Sequence, residues 1–272
     1  MKDRIIKLDA REMDVSEIIE AVLKNRGIED IDHFLYPMKD DLIPFEQMIG
    51  LEDAAQVLLD TLEKNGSILI YADTDVDGVC SATIMYEYLT WFSNNIQTTI
   101  NEGKRHGIAE TDIRAFDGFD TVVIVDSIDN DPNAYKRLID AGINVIILDH
   151  HIITTQIKEA NLPIHLVSSA NDYPNPALSG AGVALKFCLY MDYLTLNDYA
   201  EDLYDLAACG IIADMCDVSE ASYENRYICD KGFRNYHSLP IVMLCGNYDY
   251  NAQAVSFGIA PYVNAAMRTK NN

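Results

Sequence analysis

The sequence predicts an α/β protein: a parallel β-sheet flanked by helices, with a helical N-terminal segment and a mostly helical C-terminal half. Three observations carry this. Short apolar runs recur between residues 68 and 167, each the length of a strand buried on both faces. Helical patterns separate them, and that alternation is the signature of a parallel sheet. Hydrophobic residues make up 49% of the 272, enough for a sizeable core and against disorder.

The elements follow in order. Val15, Ile18, Ile19, Val22 and Leu23 fall at helical spacing, with Asp14 as N-cap, Glu17 three residues on, and Gly27 as the stop. A second amphipathic helix is predicted over 52–64, ending at Asn65-Gly66. The first buried strand is Ile68-Leu69-Ile70-Tyr71, followed by a helix over 79–92. Strands are expected at 96–100, 121–125, 144–148 and 164–167, with a helix over 133–141. Beyond Gly182 the pattern gives helices at 183–194, 199–212 and 223–236, and after Pro240 no period is legible. This divides the chain into a helical segment, 1–66, packed on the core, and one domain, 67–272.

Composition excludes several classes. The longest apolar runs, such as Val145-Ile146-Ile147-Leu148, fall far short of the roughly 20 residues of a membrane span. Met-Lys-Asp-Arg at the N-terminus is followed by no apolar signal region. The six cysteines form no C-x-x-C pair, so they read as reduced, mostly buried thiols of a cytoplasmic protein rather than a zinc cluster. With Lys+Arg 20 against Asp+Glu 43, the formal charge is −23, the wrong sign for drawing in nucleic acid or an anionic membrane. A nucleic-acid function would need bound metals, a local basic patch or a partner protein's positive surface.

The chemistry-bearing residues lie at the strand ends. The first strand runs into Asp73-Thr74-Asp75-Val76-Asp77-Gly78, the next buried one ends at Val125-Asp126, and another at Leu148-Asp149-His150-His151. Ligands of open parallel sheets bind outside the carboxyl ends of the strands, so these residues should converge. A single Asp after a strand is ordinarily only the N-cap of the next helix. Three alternate carboxylates within five residues are different: packed together they raise one another's pKa, and a divalent cation removes the conflict. Carboxylates with one or two imidazoles and no thiolate suit Mn²⁺ or Mg²⁺. Two such ions sharing a carboxylate would activate water and polarise a phosphoryl oxygen, the chemistry of phosphoester hydrolysis. Leu178-Ser179-Gly180-Ala181-Gly182 before a helix could let backbone N–H groups approach an anion. Asp214, ending an otherwise apolar helix, needs a partner, and a metal is one.

Asp73-Thr74-Asp75-Val76-Asp77-Gly78, Asp126, Asp149-His150-His151 and Asp214, in that order, resemble the four motifs of the DHH phosphoesterases. The likeness is greatest to the RecJ single-strand-specific exonucleases. It extends over Asn25-Arg26-Gly27-Ile28, the 178–184 stretch, Gly210-Ile211-Ile212-Ala213-Asp214, Glu224-Asn225-Arg226 and Phe257-Gly258-Ile259-Ala260-Pro261 with Asn264-Ala265-Ala266. The resemblance implies a metal-dependent exonuclease acting on single-stranded DNA, in DNA repair and recombination, with two Mn²⁺ or Mg²⁺ ions. It implies that Asp75 and Asp77 each ligate one metal, that Asp126 bridges them, and that His150 and Asp214 complete the second. Asp73 would be an outer ligand. His151 would contact the scissile phosphate with Asp149 orienting a histidine, so Asp126, Asp149 and His151 form the catalytic group. Ser179, Gly180, Arg105, His106, Arg226 and Arg268 would face the substrate.

This chain also departs from that pattern. Thr74 stands where RecJ proteins carry Tyr, Ser127 where Asn follows the second-motif Asp, Tyr262 in place of Arg, and Met267 in place of Gly. The DHH-associated and oligonucleotide-binding domains that follow in RecJ proteins have no counterpart in these 272 residues, as in a fragment or a minimal member. Two other readings stand beside the exonuclease. One is a phosphodiesterase for short oligonucleotides or cyclic dinucleotides, which needs no basic groove. The other is a non-catalytic subunit of a nucleic-acid complex, which would be expected to have eroded ligands.

Overall fold

A computed structural model describes residues 14–101 and 106–269, the side chain of Arg268 excepted. Helices α1 (Val15–Arg26), α2 (Ile31–Leu35) and α3 (Leu51–Glu63) lead into strand β1 (Ile68–Ala72). Then come α4 (Val76–Leu89), β2 (Ile96–Ile100), β3 (Thr121–Val125), α5 (Pro132–Asp140), β4 (Asn144–Asp149), α6 (Thr155–Glu159) and β5 (Ile164–Ser168). Helices α7 (Gly180–Thr195), α8 (Tyr204–Ala213), α9 (Tyr223–Arg234), α10 (Leu239–Cys245), α11 (Ala252–Ala254) and α12 (Ala260–Thr269) complete the chain.

The five strands are all parallel, in the order β2-β1-β3-β4-β5. Their unbroken apolar runs follow from burial on both faces. Ile68, Ile70, Val123, Val125, Ile146 and Leu148 point into one core, which includes residues of α3, α4, α7 and α8. Leu69, Tyr71, Val122, Ile124, Val145 and Ile147 point into the other, with Phe116, Tyr135 and Leu138. The strand order reverses at β1, between β2 on one side and β3 on the other, and a sheet of this kind opens its ligand crevice there. Register aligns the ends: Ala72 pairs with Val125 and Val125 with Leu148, so Asp73, Asp126 and Asp149 emerge side by side.

Most elements match the local signals. Asp14 and Glu17 form the capping box of α1, and Gly27 closes it in the left-handed region. Three differences have physical causes. Helix α4 starts at Val76 rather than 79, because Asp75 Oδ1 accepts the Gly78 N–H and caps it, which puts Asp77 in the first turn. The segment expected as one helix over 199–212 is a 3₁₀ turn, Tyr199–Leu203, followed by α8. The unreadable tail is helical, with a π turn at Val255–Ile259 between α11 and α12.

One buried charge pair anchors the C-terminal half. Lys186 of α7 and Glu224 of α9 are almost wholly buried and meet at 2.5 Å. The Glu224 carboxylate also accepts from Tyr173 Oη, Asn175 Nδ2 and the Ile43 N–H. Lys186→Met should leave that carboxylate buried without its cation and lower stability by about 3–5 kcal/mol. Urea denaturation of the two proteins reads this directly; a loss under about 1 kcal/mol would mean the pair is relaxed into solvent.

Candidate metal centre

The crevice outside β1, β3 and β4 gathers four carboxylates and two imidazoles. His150 is at its centre. Its Nε2 lies 3.1 Å from Asp126 Oδ1, 3.7 Å from Asp77 Oδ2 and 3.8 Å from Asp214 Oδ2. Asp77 comes from the first turn of α4, Asp126 from the end of β3, and Asp214 from the C-cap of α8. His151 Nδ1 is 2.9 Å from Asp149 Oδ1 and 3.7 Å from Asp126 Oδ1.

Two glycines permit this density. A Cβ on Gly180 would stand 2.7–2.8 Å from the Asp126 side chain, and one on Gly210 would stand 2.2 Å from Asp77 Oδ1. The backbone contributes as well. Asp126 adopts φ +50°, a left-handed conformation that Asp tolerates better than most residues, and its side chain is thereby turned into the crevice. Asp149, fully buried, accepts the Ile128 N–H on Oδ2 and both the His151 N–H and ring on Oδ1.

The electrostatics separate the carboxylates into two kinds. Burial, with Asp214 and Asp75 nearby, pushes Asp77 up to about 7. Burial, with Asp77 and Asp149 adding like charge, pushes Asp126 well above the usual carboxylate range. Burial opposes ionisation of Asp149 too, but the His151 ring and N–H outweigh it and hold the carboxyl low. The same bond raises His151, while burial and the neighbouring His151 lower His150. Asp149 and His151 thus favour each other's charged form, whereas Asp77–Asp126 is a pair of acids short of positive charge.

That shortage is the test of whether a cation fits. Asp126 is 1% exposed and, among the described residues, its Oδ1 has no hydrogen-bond partner; the approach of His150 is not aligned as one. A buried carboxylate oxygen left without a donor is costly. Asp126, His150 and His151 offer three donor atoms within 4.8 Å of one another, and His150, Asp214 and Cys216 offer a second such group. The residues suit a divalent cation.

The pH dependence follows. Unfolded, Asp77 ionises near 3.8, and folded near 7, so its burial destabilises the native state increasingly from about pH 4 and fully above about 7. A cation relieves this, but below about pH 7 it must first displace a proton. The Mn²⁺-induced rise in Tm should therefore be larger at about pH 8 than at about pH 6. A rise independent of pH would show that Asp77 is not among the ligands.

The other expected site residues divide. Asp73 stands beside the centre: Oδ1 accepts the Thr74 N–H, and Oδ2 meets His106 Nδ1 at 2.6 Å. His106 Nε2 lies 3.4 Å from His151 Nδ1, so His106 does border the crevice. Asp75 spends Oδ1 on capping α4. Ser179 and Gly180 are buried and support the centre. Ser179 caps α7, and the Gly180 and Ala181 N–H groups donate to the two Asp77 oxygens at 2.7 and 3.0 Å. The anion at this helix N-terminus is Asp77 itself. Arg226 is bound within the protein. Its guanidinium donates to the carbonyls of Phe34 and Val218 and stacks 3.5 Å over the Phe34 ring, so it clamps α9 to the N-terminal segment. Arg105 and the Arg268 side chain lie outside the described residues.

Cys216 was not anticipated. Its sulfur is 3.4 Å from Asp214 Oδ2. Its position two residues after Asp214 was the one available signal. The other five cysteines are buried, and none of the six is paired.

Comparison with known proteins places this geometry. A putative SPbeta prophage-derived single-strand DNA-specific exonuclease, YorK, of Bacillus subtilis is 30% identical over 92% of this chain and 44% of its own length. Single-stranded-DNA-specific exonuclease RecJ of Bacillus subtilis is 27% identical over 97% of this chain and 34% of its own. The chain therefore spans less than half the length of these relatives. The crystal structure of RecJ in complex with Mn²⁺ from Thermus thermophilus shares the fold, with a TM-score of 0.76 and 24% identity over 92% of this chain and 36% of that one. The model of the DHH family's N-terminal domain matches residues 67–211, from just before β1 into the helix that carries Gly210. With the acids and histidines of that family's motifs meeting in one crevice, the chain belongs to the DHH family.

Proposed function

We propose that this chain is a metal-dependent phosphodiester hydrolase, an exonuclease acting on single-stranded DNA. The observation that carries it is the convergence of Asp77, Asp126 and Asp214 on His150 Nε2, with the buried Asp126 Oδ1 left without a donor. The names of its relatives and the Mn²⁺ and Mg²⁺ in RecJ structures support the class of reaction and metal. In this reading Asp75, Asp77, Asp126, His150 and Asp214 would hold two divalent ions, with Asp126 shared and His150 and Asp214 belonging to the second. Such ions activate water and polarise a phosphoryl oxygen.

The chain's own contribution is orientation and charge. Asp149, held ionised and receiving the His151 Nδ1 proton, fixes the ring so that Nε2 is turned away from Asp149. His151 is 40% exposed at its side chain, open to a phosphate oxygen, and the Asp149 bond raises its pKa, which favours the imidazolium there. Asp73 does the same for His106.

A second reading, a phosphodiesterase for short oligonucleotides, is favoured by the net charge of −23 and by the basic side chains already committed elsewhere. Arg226 is bound to carbonyls, Lys231 pairs with Glu201, and Arg234 with Asp230. In the exonuclease reading, a partner protein supplies the missing positive surface for a long strand. The same reading includes the division into a helical segment, 1–66, and a domain, 67–272, supported by the family match beginning at residue 67. It also includes a role in DNA repair and recombination and a place in the cytoplasm. Among the described residues no helix is long and apolar enough to cross a membrane.

Hydrolysis of a 5′-labelled single-stranded ladder, a dinucleotide and a duplex, with Mn²⁺ and with EDTA, separates these readings. Mn²⁺-dependent shortening of the long single strand supports the exonuclease. Cleavage of the dinucleotide alone selects the second reading, and no cleavage with metal bound rejects self-sufficient activity.

A further inference from the structure

The second donor group contains a thiol. Helix α8 ends in a Schellman turn: the Met215 N–H bonds to the Ile212 carbonyl at 3.2 Å and the Cys216 N–H to the Ile211 carbonyl at 3.0 Å. This turn needs a left-handed residue, usually glycine, yet here Met215 adopts φ +57°. The chain is thereby folded back so that the Cys216 side chain returns beneath Asp214. Its Sγ is 3.4 Å from Asp214 Oδ2, and His150 Nε2 lies 3.8 Å from the same oxygen. The donor atoms of His150, Asp214 and Cys216 all lie within 4.8 Å of one another, while Asp126 belongs to the other group, with His150 and His151.

These separations can be compared with a coordination shell. Metal–oxygen and metal–nitrogen bonds of about 2.1 Å and metal–sulfur bonds of about 2.3 Å, set tetrahedrally, place donor atoms about 3.4–3.7 Å apart. The two observed edges, 3.4 Å from Cys216 Sγ to Asp214 Oδ2 and 3.8 Å from that oxygen to His150 Nε2, bracket that range. The donor set is one sulfur, one nitrogen and one oxygen. Thiolate shifts preference from Mn²⁺ and Mg²⁺ toward thiophilic cations.

We propose that Cys216, with His150 and Asp214, forms a site for a thiophilic divalent cation such as Zn²⁺, Co²⁺ or Cd²⁺ at the position of the second ion. The inference rests on the metal-centre reading of the proposed function. As the sulfur–metal bond forms, the thiol proton leaves to bulk water, and no electron is transferred. Such a cation competes with Mn²⁺ for the position.

Co²⁺ titration tests this, read by the near-ultraviolet sulfur-to-cobalt charge-transfer band and, separately, by thermal shift. The band should appear in the parent protein and be lost in Cys216→Ser and in Cys216→Val. Cd²⁺ affinity should fall about tenfold or more in both variants, and Mn²⁺ affinity by much less. Should either variant fail to fold, alkylation of the parent protein gives the same answer: bound Co²⁺ should protect Cys216, mapped by mass spectrometry. Co²⁺ bound without the band, with Cys216 still reactive, overturns the inference and leaves an oxygen-and-nitrogen centre intact. A band that survives in Cys216→Ser overturns it as well. Failure to bind Co²⁺ or Mn²⁺ overturns both this inference and the functional reading beneath it.

Discussion

Asp126→Ala is expected to abolish Mn²⁺-dependent hydrolysis, by about a thousandfold or more, while the metal-free protein keeps its stability or gains some. The two effects have one cause. Asp126 is buried beside Asp77 and Asp149, and burial with that like charge pushes its carboxyl well above the ordinary range. Unfolded, it ionises freely in water; folded and without metal, its charge is a liability, so its loss removes a penalty present from about pH 4 upward. The small cavity left by the truncation offsets part of that gain. With metal the balance reverses, because the carboxylate that faces both His150 and His151 is gone. Thermal shifts in EDTA and in Mn²⁺, alongside the hydrolysis assay, give both halves. Retained hydrolysis would show that Asp126 is not at the reacting centre. A large loss of Tm in EDTA would show that it is a structural acid after all.

Gly210→Ala is expected to lower hydrolysis by about a hundredfold or more and to destabilise the fold by about 1–3 kcal/mol. Helix propensity alone gives the opposite sign, since Ala exceeds Gly by about 1 kcal/mol within a helix. Overlap decides the outcome. The new Cβ would lie 2.2 Å from Asp77 Oδ1 and 2.5 Å from the Ala181 Cβ, so either the carboxylate or the start of α7 must move. Both carry the centre, because Asp77 is held by the Gly180 and Ala181 N–H groups. The variant should bind Mn²⁺ more weakly in calorimetry. Unchanged affinity with reduced stability would mean that α7 yields and Asp77 stays in place.

Much of this was legible in the sequence where the signal is local. Asp14, Glu17 and Gly27 delimit α1 within one turn of themselves, and the apolar runs of β1, β3 and β4 state burial on both faces. The acids at the strand ends were readable as a cluster because parallel strands align their carboxyl ends. The tail was not legible: its helices are short and interrupted by a π turn, so no period runs long enough to register.

Residue order was therefore enough to set the fold class, the strand ends at which the chemistry gathers, and the identity of its acids and imidazoles. What each polar group is spent on was settled only by the folded chain. Asp77 takes its backbone donors from 103 and 104 residues away, and Arg226 takes its carbonyl partner from 192 away. Propensity and periodicity act over a few residues, and neither can report a contact that exists only after the sheet has formed. For the same reason a helix N-terminus that reads as open to phosphate is occupied by Asp77, an arginine that reads as a phosphate contact is a clamp, and Cys216 belongs to the crevice.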